Sequence, residues 1–356
     1  TKEAAAMADS PRMVEDPTPY NADRLQVLFP PTDEPSAQTL AGTVLLLACF
    51  TIGIAGNASQ LALQLYTNRF SISQSMELSQ YYVSILHVVY FLISIALPSV
   101  IIENLVNMWM FGMVTCASHF VLVTSGRAVI GWILVFLVLD QIFCDNWKLL
   151  NHITQRTAFF ISVAFLFLFA ALIVAPSLFY IKLQQVIVSE DYGAIANFRI
   201  DTYACSTTLP KNISLYANTF AVLFDFILPI VIIVAVVTVL GRRRHRRSAH
   251  YNQWKINSFI MLLTILHFLA YLPHWTAILL HFLSENWSLQ FPDWLLGTLK
   301  QLVLLFPHLT AAFAWIPLSN LSTLLADRAR NLCSESYHKI SRQKRQAGTW
   351  AEESVF

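Results

Sequence analysis

Charge is what this sequence lacks most. Asp, Glu, Lys and Arg make up 12% of its 356 residues, about half the share of an ordinary soluble domain, and that deficit excludes a typical soluble enzyme. Glycine and proline, at 10 and 14, are too sparse for a low-complexity or collagen-like chain. Five cysteines over this length fall far below the density of a disulfide-held scaffold. The two signs of charge nearly cancel, to +2, so no general attraction to nucleic acid is implied. What is present is apolar: 56% of the residues are hydrophobic and 13% aromatic, the composition of a chain that uses a bilayer as its solvent.

A helix crosses the hydrocarbon core with about 20 mostly apolar residues. Seven such stretches occur, at roughly 40–66, 77–102, 113–144, 157–181, 215–240, 256–283 and 295–323. The sequence therefore predicts an all-α membrane protein, a seven-transmembrane-helix bundle over 40–323, with a cytoplasmic amphipathic stretch and tail at 324–356. Residues 1–39 are polar, rich in proline and carry seven Asp or Glu, which reads as a disordered extracellular segment. They hold no short basic region followed by an apolar core, so the first span is expected to act as its own insertion signal. The chain opens on Thr1 and not on Met, which leaves an upstream signal open.

Loop cations set the orientation. Fifteen Lys and Arg fall on the side of the loops at 67–76, 145–156 and 241–255 and the tail, against six on the other side. The N-terminus is thus placed outside and the C-terminus inside. The run Arg242 to Arg247 reads as the stop signal after the fifth span and not as a nucleic-acid patch. Two glycosylation sequons, at Asn212 and Asn286, fall in outside loops, whereas those at Asn57 and Asn320 lie within spans and should be unmodified.

Landmarks within the spans narrow the reading further. The first holds Gly56-Asn57, the second ends in Leu97-Pro98, and Trp109-Met110-Phe111-Gly112 leads to Cys116 at the head of the third, which closes with Asp140-Gln141-Ile142. The fifth holds Pro229, the sixth Tyr271-Leu272-Pro273, and the seventh Ile316-Pro317-Leu318-Ser319-Asn320, followed by a short basic stretch ending at Cys333. In order and spacing this resembles the rhodopsin-like G-protein-coupled receptors, from about residue 40 to 333. Pro98, Pro229, Pro273 and Pro317 mark bends, because an interior proline removes a helical hydrogen bond; the last three are candidate hinges. Cys116 and Cys205 both lie outside, where conditions favour a disulfide, and that bond is expected. Cys49 and Cys144 read as small buried hydrophobes, and Cys333 as a palmitoylation candidate.

The departures from the family pattern are as informative. Gln141 stands where the resemblance expects the arginine that engages the G protein within the Asp140-Gln141-Ile142 triplet. Counting back from Pro98, Val89 stands where the family carries a sodium-binding aspartate. Tyr271 replaces a tryptophan, the seventh span lacks the Asn and Tyr of its motif, and the fourth span has no Trp. A non-signalling or decoy receptor of the same fold is therefore the alternative. A multi-pass transporter, which would show internal repeats, or an intramembrane enzyme, which would need converging catalytic groups, ranks lower.

Charged residues inside spans are expensive and point to function. Arg127 in the third span and Asp225 in the fifth both face the central cavity in the family arrangement. They are expected to pair, either as a structural salt bridge or as a site where a ligand group competes for one member. His267, His274 and His281 recur at sevens, and His274 and His281 would look toward the outer cavity. Their rise of about 10 Å per step is too great for one metal ion, and neither a metal nor another cofactor is called for. Val123 stands where an amine receptor offers an aspartate, which disfavours an amine ligand. Val123, Arg127, Asp225, Tyr271, His274 and Phe306 are the candidate ligand-binding residues. The loop 182–214 reads as a hairpin lid of the peptide-binding branch, and the acidic N-terminal segment would steer a basic peptide. The expected partners are an extracellular peptide or other small ligand, a heterotrimeric G protein, anionic membrane lipids at the basic loop 241–255, and a PDZ domain at Ser354-Val355-Phe356. The expected location is the plasma membrane, crossed seven times. In a glycosylating host, Asn212→Gln and Asn286→Gln should each remove one glycan, read as a step in gel mobility that enzymatic deglycosylation abolishes; a chain with no glycan would place these loops on the other side.

Overall fold

Long apolar runs in hydrocarbon have one way to satisfy their backbone, the helix. A computed structural model describes residues 26–28, 36–70, 78–147, 152–192, 197–244, 251–287 and 289–330. In chain order it contains β1 (Gln26–Leu28), α1 (Ala37–Phe70), α2 (Leu78–Ile95), α3 (Leu97–Val106), α4 (Gly112–Trp147), α5 (His152–Tyr180), β2 (Ile181–Tyr192), β3 (Asn197–Thr207), α6 (Lys211–Ala221), α7 (Leu228–Arg244), α8 (Tyr251–Trp287) and α9 (Asp293–Phe313), with helix again at 315–330. Among these residues seven helical stretches are long and apolar enough to cross a membrane: Ala37–Thr67, Leu78–Val106, Gly112–Gln141, Thr157–Tyr180, Lys211–Leu240, Trp254–Ser284 and Asp293–Arg330. Cys333, the terminal Ser354-Val355-Phe356, and Arg246 and Arg247 lie outside the described residues.

The prolines act upstream of themselves, as physics requires: each lacks an N–H for the carbonyl four residues back, and its ring presses on that carbonyl. The second span breaks at Ala96, two residues before Pro98, which then sits in the first turn of α3, where no N–H is needed. The seventh breaks at Ala314, three residues before Pro317. In the fifth the disturbance is a π turn over Val222–Ile227, between α6 and α7, and Pro229 follows it. Pro273 sits inside an unbroken α8, so the bend expected there involves no interruption of the helix. The seventh span also carries Pro307 within α9.

The third span is the axis of the bundle. In its most apolar stretch 61% of residues are buried, against 22% in the first and 28% in the fourth and fifth. The main core gathers Leu86, Ile130, Ile133, Leu137, Ile233, Ile260, Leu318 and Leu321, drawn from the second, third, fifth, sixth and seventh spans. By contrast, Phe160, Phe167, Leu168, Leu172 and Phe179 of α5 are exposed, the face that lipid would cover. The tryptophan missing from the fourth span is supplied from across the contact. Trp132 of α4 lies edge-on to Phe165 and Phe169 of α5, at 5.0 and 5.5 Å between ring centres. Gly56 is required by packing: a Cβ there would overlap the Trp315 indole.

The end of the bundle at the head of the third span carries the β-structure among the described residues, a three-stranded sheet in the order β1-β3-β2. β2 and β3 form the expected antiparallel hairpin, with an irregularity between Ile187 and Ser189. β1, within the segment expected to lack structure, runs parallel to β3 from Gln26 opposite Phe198 to Leu28 opposite Ile200. The hairpin is pinned to the third helix by the Cys116–Cys205 disulfide, whose Cα atoms are 5.7 Å apart. Beside it, Trp109 N–H donates to the Tyr203 carbonyl at 2.7 Å and Trp109 Nε1 to the Gly112 carbonyl at 2.9 Å. Gly112 turns the chain into α4 at φ 74°, a conformation that side chains resist. Cys205→Ser should cost about 2–4 kcal/mol of stability, measured as a fall in thermal midpoint of the detergent-solubilised chain, and an unchanged midpoint would mean that the hairpin is held by backbone contacts alone.

Candidate functional site

Three spans converge on one guanidinium. Arg127 is buried in α4, at 8% exposure, about three turns inward from Cys116. Its Nη1 donates to His274 Nε2 of α8 at 2.7 Å. Because arginine can only donate, that imidazole nitrogen is the acceptor and carries no proton. Its Nη2 lies 3.5 Å from Asp225 Oδ2, and its ζ carbon sits 5.0 Å from the centre of the Trp275 ring, within reach of a cation–π attraction. The pairing of Arg127 with Asp225 is thus present, and His274 is its third member.

Each partner arrives for a local reason. Asp225 lies in the π turn and is 3% exposed; Pro229 cannot donate to its carbonyl, and the widened turn follows. Gly131, one turn along α4 from Arg127, faces the same elements: a Cβ there would stand in ordinary van der Waals contact, 3.6 Å from both the Asp225 carbonyl and His267 Nε2. His274 follows Pro273 directly, and Trp275 packs on Phe226 at 5.6 Å. Tyr271 is buried a turn inward, 5.0 Å from the His267 ring. Val123 is half-buried, four residues before Arg127 and therefore on the same helical face. Phe306 of α9 is half-buried against the main core. His281 lines, with Lys300 and Asp293, a cavity of about 660 Å³ between the C-terminal part of α8 and the N-terminal part of α9.

The charges are incompletely satisfied. Neither carboxylate oxygen of Asp225, nor Arg127 Nε, has a hydrogen-bond partner among the described residues. A buried ion pair at 3.5 Å recovers part of its desolvation cost and leaves hydrogen-bonding capacity unused. Such a group can receive a ligand's polar atoms.

A second polar cluster lies nearer the middle. Asn57 Nδ2 donates to the carbonyls of Gly53 at 2.9 Å and of Ala311 at 3.1 Å, and its Oδ1 meets His87 Nδ1 at 3.2 Å. The residue of the second span that meets Asn57 is therefore His87. A fully buried histidine within a span carries its own signal of function, which counting from Pro98 passed over.

The third cluster is at the other end of the bundle, where the third span closes. Ser79 Oγ donates to Asp140 Oδ2, and Gln141 Nε2 to Ser79 Oγ and the Leu137 carbonyl, both at 3.3 Å. Arg328 Nη1, 187 residues away in sequence, donates to Gln141 Oε1 at 2.9 Å. Ile142 follows within α4.

No family model matches the chain. Neuropeptide receptor 18 of Caenorhabditis elegans is 21% identical to it over 273 residues, 71% of this chain and 57% of the relative. A probable G-protein coupled receptor of the same organism is 22% identical over 267 residues, 73% of this chain and 61% of that relative. The chain is a distant homologue of G-protein-coupled receptors. It spans about three-fifths of the length of these relatives, both of which are named as receptors and not as enzymes. With its seven membrane-length helices, this receptor homologue is a multi-pass membrane protein. Asn212, a candidate glycan acceptor of the receptor homologue, is exposed in the first turn of α6, and Asn286 lies near the end of α8. Arg127→Met or Asp225→Leu alone should cost about 3–5 kcal/mol, because each leaves one buried charge unpaired, whereas the double substitution should cost less than either. Thermal unfolding in detergent reads the three variants, and additive losses would show that the two charges do not interact.

Proposed function

We propose that the chain is a divergent rhodopsin-like receptor of the plasma membrane, its N-terminus outside, that binds an extracellular peptide among its helices and signals to a heterotrimeric G protein. The observation that carries this reading is the buried Arg127–Asp225–His274 cluster joining the third, fifth and sixth spans. A ligand carboxylate competes for Arg127, or a ligand cation for Asp225. Either exchange changes which helices the pair holds together, and so favours one packing over another. Val123, Tyr271 and Phe306 supply the apolar surroundings, and Pro229, Pro273 and Pro317 the places where helices can tilt.

Peptide is favoured over amine by three things. Val123 offers no carboxylate to an ammonium. The β2–β3 hairpin, drawn to the third helix by Cys116–Cys205, suits a mouth that admits an extended ligand. The relative named for a function is a neuropeptide receptor. On the inner side Asp140, Gln141 and Ile142 face the G protein, the basic loop 241–255 meets anionic lipid, Cys333 takes a palmitoyl chain, and the terminal carboxylate offers a PDZ ligand. Gln141 favours one second reading, a receptor of the same fold that binds without signalling.

The test is a neuropeptide library applied to cells with surface expression verified, read by G-protein activation and by peptide binding. At least one peptide should bind and activate, and Asp225→Asn should shift its half-maximal concentration by about tenfold, or about 1.4 kcal/mol. Binding without activation supports the non-signalling receptor; no peptide bound overturns the peptide reading.

A further inference from the structure

We propose that the cavity between the C-terminal part of α8 and the N-terminal part of α9 is a binding site of its own, for an amphiphile with a phosphocholine head. The quaternary ammonium sits at Phe291 and Asp293, the phosphate at Lys300, and the chain along Leu299, Val303 and Ala277. All six residues line the cavity. None of the residues that hold Arg127 does, so this site goes beyond peptide recognition and does not depend on it.

The cavity is graded along its length. Ser284, Gln290 and Asp293 line it at the helix ends, and Ala277, Leu299 and Val303 line it deeper in the bundle. From Asp293 to Val303 the backbone of α9 rises about 15 Å, enough to pass from the headgroup level into hydrocarbon. Trp294, at the start of the seventh span, is exposed, as aromatic side chains at a membrane–water boundary are. The volume, about 660 Å³, is that of a small-molecule site. A polar mouth above an apolar floor matches a molecule with a polar head and a hydrocarbon chain.

Charge decides the head. Lys300 is a cation within a span, a costly placement that points to function. Asp293 lies two turns back on the same face of α9, and helical side chains lean toward the N-terminus, which carries the ammonium back toward that carboxylate. Glu103 of α3 attracts the same lysine from a third helix. One cation with two carboxylates disfavours a purely anionic head, such as that of a fatty acid or of phosphatidylglycerol, and a purely cationic head would be repelled by Lys300. A zwitterion meets both conditions: its phosphate accepts from Lys300, and its positive end lies against Asp293. A quaternary ammonium has no N–H to donate and is recognised by charge and by aromatic faces. Phe291, lining the mouth with Asp293, supplies such a face. The order along α9, aromatic and carboxylate first, ammonium next and aliphatic residues last, is the order of choline, phosphate and chain in the lipid.

Photolabelling by defined lipids tests this. The full-length chain in phosphatidylglycerol nanodiscs receives a trace of phosphatidylcholine with a diazirine in its chain, and the labelled residues are mapped by mass spectrometry. Labelling of 277–303, taken relative to the exposed face of α5, should exceed that of a phosphatidylglycerol probe with the same chain by at least about fivefold, and Asp293→Asn and Lys300→Gln should each remove most of that preference. Ala277→Phe, which fills the floor, should abolish the labelling of 277–303 and leave that of α5 unchanged, with the thermal midpoint reporting that each variant is folded. A single-chain probe run beside the two-chain one tells the source: enrichment of the two-chain probe makes bilayer lipid the occupant, and enrichment of the single-chain probe alone makes it a free lysolipid, and either upholds the site. Equal labelling of 277–303 and α5 would mean bulk lipid only, and equal labelling by the two head groups would mean that the head is not read; either result overturns the proposal.

Discussion

A guanidinium inside a hydrocarbon slab cannot be left alone, and much of this fold can be understood as the accommodation of Arg127. An arginine at the centre of a membrane helix costs about 2.5–3.5 kcal/mol on insertion scales, more than most single contacts return. The bundle meets that cost from three directions, with a carboxylate from the fifth span, an imidazole from the sixth and an indole face beside it. The third helix is the natural carrier, because its neighbours surround it on most sides. The same site on the first or fourth helix would put the charge against lipid.

Two further polar layers lie along the bundle, Asn57 with His87 and the Ala311 carbonyl, and Ser79 with Asp140, Gln141 and Arg328. Between them lie close-packed apolar residues such as Leu86, Ile133 and Leu137. Packed interiors do not stretch, and hydrogen bonds weaken steeply once bent. The polar layers and the apolar zones between them thus hold the helices in different ways, the first by direction and the second by fit.

The spans were legible because hydrocarbon imposes length and composition on every residue in it. The Leu78–Val106 and Asp293–Arg330 stretches run about one and two helical turns past the expected ends at 102 and 323. Arg127 and Asp225 were legible because charge is conspicuous in an apolar run, and Cys116 and Cys205 because the head of the third span and the loop before the fifth fall at the same end of the bundle. The bond to His274 was not, since its seven-residue repeat gives the face of the helix and not the partner. His87 was passed over because counting from Pro98 led to Val89, and nothing local in the sequence marks its contact with Asn57. The Arg328–Gln141 contact spans 187 residues, and nothing local in the sequence marks it. The strand at Gln26–Leu28 was hidden for a different reason: three residues carry no periodicity, and its pairing depends on β3 being already in place.

The π turn at Val222–Ile227 has a consequence beyond the placing of Asp225. Such a turn accommodates one residue more than an α-helix would, so α6, before the turn, is rotated by roughly a quarter of a revolution relative to an uninterrupted helix. Loss of one residue there in a descendant gene would restore the regular helix and swing every side chain outward of the turn onto a different face, while α7 stayed seated against its neighbours. The two halves of this helix can thus diversify separately, the faces before the turn changing while the packing of α7 is kept.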